Sequence, residues 1–226
     1  LNAAVIEQYY DDANGGFFFT ADGHETLIAR SKDISDGATP SGNSVQLMNL
    51  LRLAAMLGDE GLRAKAEQTM KCFSANVARM AVASERFLTG VEFALVGPVE
   101  LAFVGEFDAA ATQALVREAQ ATYLPNRVVM FANPADGAEA PDSPLLEGRT
   151  LVDGQPAAYV CRNYACQRPA PRRRSWRNSL LGRRRRGRSS NGEIMTPSCV
   201  DCRRRCCSWR IQNSFNVNQR GYAWVP

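Results

Sequence analysis

The stretch VQLMNLLRLAAMLGDEGLRAKAEQTMKCFSANVARMAV, residues 45–82, decides the fold class. Its opening VQLMNLLRLAAML is rich in strong helix formers, and Leu47, Leu50, Leu51, Ala54 and Leu57 recur at helical spacing. Ser41 and Asn43 stand where a side-chain oxygen can cap that helix. Gly58 permits the left-handed turn that ends it, and Asp59 can cap the next helix. There Leu62, Ala66, Phe73, Val77 and Met80 mark one apolar face running to about Val82. Two helices joined by so short a turn form an antiparallel hairpin. Upstream, LNAAVIEQYY at residues 1–10 reads as the last turns of an earlier helix.

Between these helices lies GGFFFTADGHETLIARSKDISDGATPSGNS, residues 15–44. Connections in compact domains are usually about 4–6 residues, and long ones are functional or disordered. This one has the composition of an ordered loop: Gly15 and Gly16 permit a turn, and Phe17, Phe18 and Phe19 favour a pleated backbone. The basic pair Arg30 and Lys32 is flanked by Asp22, Glu25, Asp33 and Asp36. An ordered loop of aromatic and polar residues is a candidate binding site. Its candidate ligand-binding residues are Phe17, Phe18, Arg30, Lys32, Asp36 and Asn43. Asp36 is the candidate catalytic carboxylate, because Gly37, Pro40 and Gly42 fix the backbone around it; an Asx-turn role is the competing reading.

Beyond residue 90 the texture changes. VELAFVG (99–105) reads as a strand, FDAAATQALVREAQATY (107–123) as a helix and NRVVMFA (126–132) as a second strand. That order at that spacing predicts a right-handed parallel unit. After a Pro- and Gly-rich stretch, PAAYVC (156–161) supplies a third strand.

Charge divides the chain. Residues 1–166 hold 12 Lys and Arg against 21 Asp and Glu, net −9, whereas residues 167–226 hold 15 against 2, net +13. All three lysines precede the divide, and every basic residue after it is arginine. So basic a tail, with Trp176 and Trp209, suits nucleic-acid phosphates and bases. The competing reading, which the compositional break favours, is that residues 168–226 are non-native sequence, as an out-of-frame or intronic reading of a GC-rich gene would give. Either way little apolar periodicity offsets chain entropy there, and the tail is expected to be disordered. No segment approaches the roughly 20 apolar residues needed to cross a bilayer. The start carries no signal-peptide pattern and begins without methionine in mid-helix, so the chain reads as a fragment.

The run from Gly15 through DGATPSGNS to LLRLA, followed by GQPAAYVCRNYACQRP (154–169), resembles the C-terminal part of the spermatogenesis-associated, thioredoxin-domain-containing family. The resemblance covers residues 1 to about 169. It implies a thioredoxin-like domain followed by a six-hairpin α/α toroid, similar to N-acylglucosamine 2-epimerases and six-hairpin glycosidases. The expected fold is therefore mainly α: a partial toroid over residues 1–167, with a small α/β element near residues 99–161. The loop would line the toroid's funnel, where a carbohydrate-like small molecule sits. The implied chemistry is sugar epimerase-like or glycosidase-like, in the intact parent and not in this chain alone.

Hydrolysis of a sugar bond needs two facing carboxylates, and epimerisation needs an acid and a base on opposite faces of a carbon. Exposed loop acids are most often only solvated, and His24 is the single histidine. No phosphate-cradling glycine motif occurs, and no cofactor or metal is expected. Cys161 and Cys166 frame CRNYAC and offer a second, redox chemistry. For a cytoplasmic protein their default state is two thiols. In the tail, Cys199 and Cys202 have C-x-x-C spacing, but adjacent Cys206 and Cys207 make a zinc site awkward.

Overall fold

The hairpin forms for the reasons its sequence supplies. In the computed structural model, which describes residues 1–23, 29–135, 142–163 and 165–167, α1 spans Asn2–Tyr9, α2 Gly42–Leu57 and α3 Glu60–Arg79. Ser41 caps α2 by accepting the Ser44 N–H at 3.1 Å, and Gly58 ends the helix with φ 68°. Asp59 caps α3 by accepting the Leu62 N–H at 3.0 Å. Leu47, Leu50, Leu51 and Ala54 are buried along α2, and the three leucines share one apolar core with Ala66 and Phe73 of α3. Each fully buried leucine contributes about 1.5–3 kcal/mol relative to an exposed one.

The second helix stops before its apolar pattern does. Met80 and Val82, expected on the buried face, are 64% and 85% exposed. The physical reason is a change of helix: α3 ends at Arg79, a 3-10 turn covers Ala81–Ser84, and α4 begins at Glu85 and runs to Val96. α4 packs on α2 through Phe87, Gly90 and Phe93. A Cβ on Gly90 would lie 2.8 Å from Leu47 Cδ2, so the glycine permits the close approach of the two helices.

The remainder is a four-stranded mixed sheet in the order β2-β1-β3-β4. β1 (Val99–Val104) pairs in parallel with β2 (Arg127–Ala132), and α5 (Ala110–Gln120) makes the crossover between them. β3 (Ala157–Arg162) lies antiparallel to β1, and β4 (Ala165–Cys166) folds back on β3. Val99, Leu101 and Phe103 of β1 pack with Leu115 and Ala119 of α5. Ala102 and Val104, with Tyr159 and Cys161 of β3, pack into the core shared with the helical hairpin. The sheet is thus covered on both faces, as a parallel crossover requires. No helix among the described residues is long and apolar enough to cross a membrane. His24, Glu25 and the whole of 168–226 lie outside the described residues.

Candidate functional site

The long loop is built from its own hydrogen bonds outward. Gly15 and Gly16, at φ 77° and 78°, turn the chain against α3, and Tyr10 and Phe17 form an antiparallel bridge. Asn43, on the first turn of α2 and 3% exposed, then ties the loop together. Its Oδ1 accepts the Phe17 N–H at 2.7 Å, and its Nδ2 donates to the carbonyls of Phe17 at 2.9 Å and Asp33 at 2.8 Å.

The charged residues serve the same framework. Lys32 Nζ donates to Asp11 Oδ2 and to the Gly15 carbonyl, both at 2.6 Å. Arg30 donates to the Thr20 carbonyl at 2.6 Å and the Gln8 carbonyl at 3.2 Å, and pairs with Asp22 at 3.5 Å. The Phe18 ring meets both, its centre 4.1 Å from the Arg30 guanidinium carbon and 4.8 Å from Lys32 Nζ. Asp36 Oδ1 accepts the Ser41 N–H at 2.9 Å, and Oδ2 accepts those of Arg86 at 2.8 Å and Phe87 at 3.4 Å. One carboxylate therefore holds the loop closed and also occupies the first turn of α4, where negative charge is favoured.

Two ionisations are displaced. The Lys32 ammonium, with the Asn14 side chain and the N–H groups of Asn14 and Ala13, holds the Asp11 carboxyl well below the ordinary carboxylate range. Burial, and secondarily the charge of Asp12, pushes the Tyr10 phenol up to about 12. Tyr10 thus stays a donor, and its hydroxyl gives a 2.8 Å bond to Gln68 Oε1. Between the depressed pKa of folded Asp11 and the unfolded value of about 3.9, the unfolded chain binds more protons, so stability rises with pH there. The contribution is complete above about pH 4 and is lost as pH falls through the folded pKa. Lys32→Met is expected to flatten this acid limb, as urea midpoints measured between about pH 2 and 6 will show. A limb of unchanged steepness would remove Asp11 as its source.

A hollow of about 320 Å³ lies on the outer side of this framework. Phe17, Phe18 and Asn43 contribute to its wall, joined by Phe19, Asp33 and Thr39. Arg30, Lys32 and Asp36 are not among its lining residues; they hold the backbone behind it. Phe19, 77% exposed, is a wall residue that composition did not single out. Its signal is alternation: in a pleated FFF run, inward Phe17 places Phe19 away from the core only if the backbone turns at Phe18, which one sequence does not reveal. A wider hollow of about 540 Å³, between Arg52 of α2 and the α5–β2 connection, is bordered by Tyr123, 88% exposed, and Arg127. It gathers no acid–base pair. Among the described residues no cluster of His, Cys, Asp and Glu is arranged to hold a metal.

The cysteine expectation needs correction. Cys161 and Cys166 are joined by a disulfide and are not two free thiols. The antiparallel register of β3 and β4 places them directly opposite one another, which brings the two sulfurs within bonding reach. Among the described residues Cys72 is the free cysteine.

No family model matches the chain. It is 32% identical over 166 residues to human spermatogenesis-associated protein 20, an alignment that covers 71% of this chain and 21% of that protein. Spermatogenesis-associated protein 20 is its homologue. The rat protein of that name is 29% identical over 171 residues and the mouse protein 30% identical over 166, with 73% and 71% of this chain covered. The chain spans about a fifth of the length of these spermatogenesis-associated protein 20 relatives, 21% in each case.

Proposed function

We propose that this chain supplies part of the wall of a carbohydrate-binding funnel in a longer protein of the spermatogenesis-associated protein 20 type, whose helical hairpins close into an α/α toroid behind a thioredoxin-like domain. The observation that carries the reading is the hollow beside α2. Its volume of about 320 Å³ sits at the lower end of small-molecule sites, which run from about 300 to 1,000 Å³. Its wall combines phenyl rings with a carboxylate, hydroxyls and amide groups, the mixture that meets both the C–H faces and the hydroxyls of a sugar. Backbone held by Asn43, Lys32 and Asp36 makes it preformed, which spares a ligand the entropy of ordering it.

Asp33 is the carboxylate in that wall, and Asp36 acts on the ligand through the backbone it fixes. An epimerase-like or glycosidase-like reaction would take its second acid–base group from another part of the intact protein, across the funnel. In the full-length protein, Phe19→Ala is expected to weaken binding of a recognised mono- or disaccharide about tenfold in calorimetric titration, the cost of roughly 1.4 kcal/mol of lost stacking. The melting temperature should hold, because the ring is exposed. Failure of a saccharide panel to bind at millimolar concentration, or binding that Phe19→Ala leaves unchanged, would overturn the proposal.

A further inference from the structure

The Cys161–Cys166 bridge is asymmetric in its surroundings. Cys161 is 1% exposed in the core beneath the sheet, whereas Cys166, on the short edge strand β4, is half-buried. Arg149 reaches only the second sulfur: its Nη2 donates to Cys166 Sγ at 2.8 Å. Two contacts hold the guanidinium there. The Tyr159 hydroxyl donates to the Thr150 carbonyl at 2.7 Å and accepts its N–H at 3.3 Å, which pins the Arg149 segment to β3 two residues before Cys161. The guanidinium carbon also lies 5.6 Å from the centre of the Tyr159 ring. Arg149 Nε is buried without a hydrogen-bond partner, and among the described residues the guanidinium makes its hydrogen bond to this sulfur.

A fixed cation beside one sulfur of a pair favours the thiolate of that cysteine, while burial disfavours the thiolate of the other. Opposite Cys161 on β1, in register and on the same face, stands buried Glu100. We propose that Cys161 and Cys166 form a reversible thiol–disulfide exchange site for small disulfides of the glutathione type, with Cys166 as the nucleophile, Cys161 as the resolving thiol and Arg149 as the positioning residue that keeps Cys166 ionised.

The reaction balances as follows. In the reduced chain the Cys166 thiolate attacks one sulfur of RSSR, forms the mixed disulfide Cys166–S–S–R and releases RS⁻. Cys161 gives its proton to a released thiolate and attacks Cys166 Sγ, which forms the bridge of the present structure and expels the second RS⁻. Two electrons pass from the protein dithiol to RSSR, and two RSH leave once the proton from Cys166, already in solvent, is counted. Reduction runs the same steps backwards, with the first attack on the accessible sulfur of Cys166. Nothing in this chemistry depends on a sugar in the loop hollow.

The test uses the full chain with Cys199, Cys202, Cys206 and Cys207 changed to serine, glutathione as the probe, and peptide mass mapping as the readout. Cys161→Ser is expected to accumulate glutathione on Cys166, at least about tenfold more than Cys166→Ser accumulates on Cys161. In the Cys161→Ser background, alkylation of Cys166 should follow a midpoint below the ordinary thiol value of about 8.5. Arg149→Ala should raise that midpoint by about one unit, slowing alkylation about tenfold near neutrality, and Arg149→Lys should restore most of it. A merely structural arginine would leave the pH midpoint in place. A bridge that millimolar glutathione leaves closed in the folded chain, equal trapping on both cysteines, or a midpoint that neither Arg149 variant moves would each overturn the proposal.

Discussion

Asn43→Ala is expected to lower the unfolding free energy by about 3 kcal/mol, far beyond the roughly 0.5 kcal/mol of an ordinary surface change. The side chain occupies a buried position and makes three hydrogen bonds, all to backbone: one from the Phe17 N–H, one to the Phe17 carbonyl and one to the Asp33 carbonyl. Alanine leaves those groups without a partner, and each buried unsatisfied group costs about 1–3 kcal/mol. Water entering from the adjoining hollow recovers part of the sum. Asn43→Asp keeps the acceptor for Phe17 but sets a buried carboxylate oxygen against two carbonyls, so it should cost at least as much as alanine at neutral pH. Urea unfolding at constant m-value provides the measurement. A loss inside the surface range would mean that the loop does not depend on this amide.

Gly15→Ala should cost a similar amount, about 3 kcal/mol, by two added effects. The residue adopts φ 77°, where an L side chain is strained, and its added Cβ would lie 2.7 Å from the Gln68 carbonyl oxygen on α3. That neighbour is helix backbone and has no rotamer by which to withdraw. The Gly15 carbonyl also receives Lys32, so displacement of the turn propagates to the Lys32–Asp11 pair. Gly23 separates the two effects, because it has φ 84° but no atom within 4 Å of a built Cβ. Gly23→Ala should therefore cost only about 1–2 kcal/mol of backbone strain. Equal losses at both positions would show that the contact with Gln68 carries no weight.

The elements that sequence discloses best are those whose signals are local. Gly58 and Asp59 mark the hairpin turn by themselves, and the runs around Val99, Arg127 and Ala157 have the length and apolar content of buried strands. α4 escapes such a reading. Gly90 interrupts ERFLTGVEFALV and looks like a breaker, yet it is there because Leu47, distant in sequence, fills the space a side chain would need. Its cap is non-local as well, since the carboxylate of Asp36 comes from the loop.

The candidate site was legible in residue types and not in their directions. A long loop must satisfy its own backbone polar groups. Arg30, Lys32, Asp36 and Asn43 have the chemistry to meet a ligand, but each is drawn to a carbonyl or N–H of the loop or its neighbours. Which of these demands wins depends on contacts such as Asp36 with Arg86, fifty residues apart, that no spacing rule encodes. The disulfide shows the same dependence. Four residues lie between Cys161 and Cys166, and only the β3–β4 register sets them face to face.

Asp36 serves two clients at once, the Ser41 amide of the loop and the Arg86 and Phe87 amides of α4. When the loop lifts away, the helix loses its anchor in the same event, and when α4 frays the loop loses its latch. The two segments thus open as one unit of hydrogen exchange although they are remote in sequence. A molecule lodged among the phenylalanines would slow deuterium uptake at the start of α4 without ever reaching it.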